Sequence, residues 1–191
     1  MTTKIVKNKW GEPYPNHKDL LENAASVIAF LKKELKKKSC PCLKKLYLPD
    51  KNGRMVKQND VFKSIGGLGN APFQKKKDKE LMGLYVFASK VKDEIIPVYV
   101  GISRTIFRRL KQHGWGAKHN EASLAYLMAK KKYDHQGHRH KLKKWKLKEQ
   151  QEIIREWRVA VYPIKNDYDL YFTEVFAAGM WGTKWNTFKT H

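Results

Sequence analysis

Hydrophobic and polar positions alternate with two different periods along this chain, and the change of period divides it. From His17 to Lys38, apolar residues recur at Leu20, Leu21, Ala24, Val27, Ile28, Leu31 and Leu35. Spacings of three and four put them on one side of a helix, and the lysines at its end suit the negative pole of the helix dipole. Pro41 stops any continuation. The segment "KKLYLPDKNGRMVK" then alternates around Asn52-Gly53, the dipeptide that favours a tight hairpin turn. "SIGGLGNAPFQKKKDKE" carries no period and reads as a linker, so a boundary is expected near residue 80. Its glycines lack the GK[ST] of a phosphate loop and fit neither nucleotide fingerprint.

Beyond the linker, "LMGLYVFASKV" and "IIPVYVGIS" read as two strands joined through "KDE", an antiparallel hairpin. A helix follows in "IFRRLKQH", with Thr105 placed to cap it, and another in "NEASLAYLMAKKK", with Asn120 as a possible cap. "HQGHRHK" is a polar loop, "LKKWKLKEQQEIIRE" a charged helix and "WRVAVYPI" a third strand. "DYDLYFTEVFAAGM" closes the pattern as a helix with one carboxylate, Glu174, in an apolar middle. The expected fold class is α+β: a small three-stranded antiparallel sheet flanked by helices, behind a basic helix-plus-hairpin N-terminal region at residues 1–80. Residues 81–191 form the second unit.

Charge changes the picture more than any other bulk property. Forty Lys+Arg against 18 Asp+Glu give a formal net charge of +22, an excess that repels itself and suits a polyanionic partner, nucleic acid above all. It is spread over the chain: residues 1–80 hold 19 basic and 8 acidic residues, residues 81–191 hold 21 and 10. A hydrophobic content of 41% with 12% aromatics is enough for a packed core. No apolar run reaches the length of a membrane span and the N-terminus lacks a signal-peptide core, so a cytoplasmic protein without membrane contact is expected. Cys40 and Cys42, in "SCPC", are too close for an unstrained disulfide and too few for a zinc site, and read as free thiols.

The candidate chemistry lies after the linker. "GLY" (Gly83 to Tyr85) and "YVG" (Tyr99 to Gly101) are followed on the next helix by Arg109, eight positions past Gly101, and by His113 one turn further. Glu174 and Asn186 come later, twelve residues apart. This set and its order of elements resemble the GIY-YIG nuclease family over about residues 81–190. Leu84 and Val100 stand where the family has isoleucine. Thirteen residues separate Tyr85 from Tyr99, so a longer hairpin turn is expected.

The resemblance implies a metal-dependent DNA endonuclease. Tyr85 would be the general base, with nearby cations lowering its phenol pKa; a hydrated metal, His113 and local lysines are candidates for that. Arg109 would clamp the phosphate with its planar fork. Glu174 would hold Mg²⁺, with Mn²⁺ as a substitute, since hard cations favour carboxylate and water. Tyr99 would position phosphate or water, and Asn186 would orient the metal's shell. Each residue also has a plain structural alternative: strand tyrosines, a solvated arginine like Arg104 or Arg108, a histidine at a helix end. Glu174 is the hardest to explain that way, because an unpaired carboxylate among Leu170, Tyr171, Phe172, Val175 and Phe176 is costly to bury. A restriction enzyme is the favoured role, with a homodimer possible for double-strand cleavage. A mobile-element or repair nuclease, or a catalytically silent nucleic-acid-binding protein of the same fold, is the alternative.

Two features stay open at this level. His135, His138 and His140 fit no standard zinc spacing and read better as a basic loop on DNA phosphates. Trp115 and Trp145 suit either stacking on nucleic acid or core packing.

Overall fold

A computed structural model of the chain describes residues 14–65, 81–117 and 121–188. Of the linker read at residues 64–80, Ser64 ends α3 and Ile65 is buried, while residues 66–80 and the Asn120 cap lie outside the described residues. The described elements run α1 (His17–Lys36), α2 (Leu43–Leu46), β1 (Tyr47–Pro49), β2 (Met55–Lys57), α3 (Asn59–Ser64), β3 (Gly83–Val91), β4 (Glu94–Ser103), α4 (Ile106–Trp115), α5 (Ser123–Lys132), a 3₁₀ turn (Arg139–Lys141), α6 (Lys144–Glu156), β5 (Arg158–Pro163) and α7 (Asp167–Trp181). The fold is α+β, with a three-stranded antiparallel sheet and a separate two-stranded hairpin of β1 and β2. No helix among the described residues is long and apolar enough to cross a membrane.

The sheet order β4-β3-β5 puts β3 in the middle, buried on both sides. Alternation along the strand separates two cores. Leu84, Val86 and Ala88 turn one way, joining Val100 and Ala160 against Val27, Ile28, Leu31 and Leu35 of α1 and Leu170, Ala177 and Ala178 of α7. Tyr85 and Phe87 turn the other way, with Val159 and Val161, toward α2, α3, α4, α5 and α6. Each buried aliphatic side chain contributes about 1.5–3 kcal/mol.

The N-terminal segment is therefore built into both cores. Helix α1 covers one face of the sheet, while Leu43, Leu46, Tyr47, Phe62 and Ile65 are buried in the core on the other. A boundary at residue 80 does not separate two hydrophobic cores. Asn16 caps α1 by accepting from the Lys18 N–H at 2.9 Å. At the other end Arg158 of β5 donates to the Leu35 and Lys37 carbonyls, both at 2.8 Å. That cation closes the helix more directly than the lysines do. Tyr47 Oη donates to the Phe107 carbonyl, tying β1 to α4.

Two local expectations are corrected. The turn between β3 and β4 is short: only Lys92 and Asp93 lie between the strands, with Lys92 at φ +53°. The wide tyrosine spacing is absorbed by strands of nine and ten residues and by a bulge in which Phe87 pairs with Tyr99 and Ala88 with Pro97, leaving Val98 extra. Thr105 occupies the N-cap position of α4, but its side chain makes no capping bond. Instead Ser103 Oγ accepts from the Thr105 N–H at 2.9 Å.

Both sheet edges are covered, which removes templates for unwanted pairing. On β5, the Leu43 N–H donates to Trp157 and the Val159 N–H to Pro41. On β4, the Trp185 N–H donates to the Val98 carbonyl exposed by the bulge. The half-buried Cys40 thiol faces the Val159 carbonyl at 3.5 Å, and burial pushes its pKa up to about 11, so it is not a thiolate at neutral pH.

Candidate active site

The two motif glycines have different steric reasons. A Cβ on Gly83 would lie 2.2 Å from the Tyr162 carbonyl oxygen, so only glycine lets β5 approach β3 there. A Cβ on Gly101 would lie 2.4 Å from Tyr85 Oη and 2.5 Å from its Cζ. Gly101 is the cross-strand partner of Tyr85, and the tyrosine ring lies over the space its missing side chain leaves. The recurrence of glycine beside tyrosine is thus a packing requirement of this hairpin.

That ring is sealed. Tyr85 is 1% exposed, and its hydroxyl is 2.7 Å from Nε2 of His113 on α4, itself fully buried. Burial holds His113 well below the usual imidazole range, and the Arg109 charge adds to this, so the ring is neutral. His113 Nδ1 has no hydrogen-bond partner among the described residues. The expected lowering of the Tyr85 pKa is reversed. Desolvation drives it well above the usual phenol range, Tyr99 adds to the rise, and Arg109 only partly offsets it. No lysine among the described residues contributes to this balance, and a neutral imidazole supplies no charge.

Tyr99 sits one step nearer solvent. Its ring is 6.2 Å from that of Tyr85 and 5.6 Å from that of His113. Burial raises its pKa, Arg109 lowers it, the Glu174 charge raises it, and hydrogen bonding to Tyr85 lowers it. Tyr99 therefore stands between the arginine and the carboxylate, in hydrogen-bonding reach of Tyr85.

Of the three arginines near the start of α4, only Arg109 turns inward. Arg108 is exposed, and Arg104 is exposed and paired with Asp167 at 2.6 Å. Arg109 donates to the Glu121 carbonyl at 3.1 Å and to Ser123 Oγ at 2.7 Å, gripping the start of α5. These are neutral partners, so the charge of Arg109 meets no carboxylate in them.

Glu174 reaches the same place from α7. A cleft of about 430 Å³ runs beside the outer edge of β4, lined by Tyr99, Tyr126, Arg139, Glu174, Trp185 and Asn186 among others. Desolvation pushes the Glu174 carboxyl up to about 7, with the Ile102 backbone N–H opposing the rise. The apolar neighbours read around it in sequence are not all inside: Tyr171 and Val175 are exposed. Burial beside the β4 edge, rather than a shell of buried apolar residues on its own helix, makes Glu174 costly to ionise.

Asn186 has a different task from the one expected. Its Oδ1 accepts from the Val100 N–H and from Thr183 Oγ1, and its Nδ2 donates to the Val100 carbonyl, all at 2.8 Å. The side chain imitates a neighbouring strand and staples the C-terminal segment to β4. With both ends engaged, it shapes the cleft wall instead of orienting a metal's shell.

Tyr85, Tyr99, Arg109, His113 and Glu174 thus converge from β3, β4, α4 and α7, with Asn186 supporting them. Sequence reading missed Tyr126 and Arg139 as cleft residues. The only signal for Arg139 was its position in the basic loop "HQGHRHK". In that loop His138 and His140 stack at 5.6 Å, and His135 Nε2 lies 3.2 Å from the His138 carbonyl oxygen. No group of three or more His, Cys, Asp or Glu that could hold a metal occurs among the described residues. Glu174 is the one carboxylate among the described residues lining the cleft. A lone carboxylate suits Mg²⁺, which keeps several waters and takes further oxygens from substrate phosphate, and does not suit tetrahedral zinc.

The two tryptophans separate. Trp115 packs edge-on to Tyr47 at 5.5 Å and belongs to the core. Trp145 is 56% exposed, edge-on to Tyr133, with Lys146 over both rings. No family model, curated protein or solved structure matches the chain.

Proposed function

We propose that this protein is a metal-dependent DNA endonuclease of the GIY-YIG type, with restriction as its role. The observation that carries this reading is that Tyr99 and Glu174 line one cleft, and that behind Tyr99 lie Arg109 and the Tyr85–His113 pair. Pure binding to a polyanion has no use for a carboxylate there, since it repels the ligand. Hydrolysis of a phosphodiester does, because it needs charge neutralised at phosphorus and a base for the attacking water.

Glu174 would hold the divalent cation, which when bound supplies Lewis-acid stabilisation of the phosphate and a more acidic water. Arg109 would donate its remaining N–H groups to phosphate oxygens while its bonds to Glu121 and Ser123 keep the fork in position. Tyr99 meets the attacking water. A neutral phenol is a poor proton acceptor, so the proton needs an acceptor behind it; His113 is neutral, although burial and the Arg109 charge make it a weaker base than a free imidazole. As the water gives a proton to the Tyr99 oxygen, the Tyr99 proton passes to Tyr85 and the Tyr85 proton to His113 Nε2, 2.7 Å away. The new bond is from water oxygen to phosphorus. The departing oxygen leaves with its bonding pair and takes a proton from solvent.

The DNA partner is supported by exposed lysines: Lys130, Lys131 and Lys132 at the end of α5, then Lys141, Lys143, Lys144 and Lys148 around exposed Trp145. The sealing of Tyr85 favours a second reading, a silent nucleic-acid-binding protein of this shape. The test is to incubate the protein with mixed plasmid DNA and Mg²⁺ and to sequence the ends. Discrete, repeated ends support restriction. Random ends indicate a non-specific mobile-element or repair nuclease. Absence of ends, with DNA still bound, supports the silent binder.

A further inference from the structure

Arg139 is a half-buried charge that the series above leaves unused. It lies in the short 3₁₀ turn between α5 and α6 and forms part of the wall of the cleft that holds Tyr99 and Glu174. Its guanidinium carbon rests 4.5 Å from the centre of the Tyr126 ring, a flat platform that fixes the plane of the fork. Two of its nitrogens, Nε and one Nη, are buried with no hydrogen-bond partner among the described residues. Burial lowers its pKa, and the nearby charge of Arg109 lowers it further. The two like charges are thus near enough to repel, and Arg139 forms no ion pair with Glu174 among the described residues.

An arginine needs a reason to keep buried donors unpaired beside a second cation. An anion lying between the two guanidiniums removes both penalties at once, because it accepts from the idle donors and cancels the repulsion. A tetrahedral phosphate diester fits better than a carboxylate. It offers two non-bridging oxygens to two forks, and the chain it belongs to continues out of the cleft in both directions.

We infer that Arg139 is a second phosphate-binding residue, which with Arg109 clamps the same phosphodiester from the side opposite Glu174. This rests on the nuclease reading for its catalytic consequence, but the anion site itself does not. Tyr126 is the positioning residue that holds the Arg139 fork in plane.

The test uses the full chain and two readouts. One is the salt dependence of binding to a short DNA duplex without metal; the other is nicking of supercoiled plasmid with Mg²⁺. Arg139→Ala should lower the magnitude of the log–log salt slope by about 0.9, one phosphate contact. It should also slow nicking about 100-fold or more, as loss of an aimed donor does. Arg139→Lys should restore the slope and not the rate, since a point charge cannot reproduce the fork. If Arg139→Ala proves poorly folded by thermal melting, Arg139→Gln keeps a planar group on Tyr126 and carries the same expectations. An unchanged salt slope overturns the site, and nicking within threefold of wild type overturns the clamp. If the wild type never nicks yet Arg139→Ala still lowers the slope, the nuclease reading fails and the phosphate site stands.

Discussion

The two faces of one sheet are built from different chemistry. On the α1/α7 face, Leu84, Val86, Ala88, Val100 and Ala160 meet Val27, Ile28, Leu31 and Leu35 in a core of alkyl groups. On the other face the same strands present Tyr85, Phe87 and Tyr99 to His113, with Phe87 edge-on to the imidazole at 5.4 Å and stacked on Tyr99 at 6.3 Å. The buried side chains of the first face meet through non-directional contacts. The second buries a hydroxyl, an imidazole and part of a guanidinium, groups that are expensive to desolvate unless they are partnered. A fold can obtain stability from the first kind of face alone. The second kind makes sense when the groups are held for use.

The comparison is broken most severely by removing the N-terminal half of the alkyl face. A chain starting at residue 81 loses α1 and with it Val27, Ile28, Leu31 and Leu35, and it also strips Leu43, Leu46, Tyr47 and Phe62 from the other core. It should fail to fold, seen as loss of near-ultraviolet circular dichroism. A folded, sharply melting fragment would show that the alkyl core does not hold the sheet. Leu31→Ala tests the same face gently: it should cost about 2–5 kcal/mol in denaturant unfolding. Cleavage per folded molecule should not change.

Gly101→Ala sharpens the contrast from the aromatic side. The added methyl must push the Tyr85 ring off its position over Gly101, since the contacts would be 2.4 and 2.5 Å. Overpacking should cost about 1–3 kcal/mol, a smaller loss than Leu31→Ala, while cleavage falls by far more because the Tyr85–His113 bond is displaced. Equal losses of stability and activity in the two variants would erase the distinction between the faces.

Acid and base should pull the metal-free protein in opposite directions. His113 is held well below 6.5 when folded, so the unfolded chain takes up the proton first, and stability should decline as pH drops below about 6.5. Glu174 is raised from 4.5 to about 7, so the folded state keeps its proton longer, and stability should decline as pH rises through that interval. Glu174→Gln should remove the second decline and leave the first. Urea midpoints measured from about pH 4 to pH 8 give both, and a profile unaltered by Glu174→Gln would place that carboxyl in water. The smallest effect is at the staple: Asn186→Ala should cost about 1 kcal/mol for the lost bonds to Val100. It should loosen the cleft wall without changing the metal dependence of cleavage.

Much of the framework is legible in the sequence because it is local. The threefold-and-fourfold spacing in α1, Asn52-Gly53 between β1 and β2, and the alternation in β3 and β4 each depend on neighbours a few residues away. Arg109 and His113 are legible as a pair because the helix fixes their relation. The rest depends on burial and on distant contacts. Nothing in "GLYVF" says that the Tyr85 hydroxyl will be sealed, so the direction of its pKa shift could not be read. Arg139 joins Glu174 from 35 positions away, through a loop without periodicity. Asn186 reads as orienting a metal's shell because it stands twelve residues after Glu174, where the resemblance puts an asparagine, and only the edge of β4 explains where its amide is engaged. The turn after β3 is shorter than the tyrosine spacing implies because a bulge and longer strands use up residues that a count assigns to a loop.

The central claim is that the aromatic face is a proton path serving phosphodiester hydrolysis. Tyr85→Phe tests it most directly, because it deletes one oxygen 2.7 Å from His113 and leaves the ring in place. Single-turnover cleavage of plasmid DNA by Tyr85→Phe, with its DNA affinity and melting temperature measured alongside, should be slower than wild type by about 10²–10⁴-fold. Affinity and melting should stay close to wild type. A Tyr85→Phe enzyme that cuts as fast as wild type would contradict the claim.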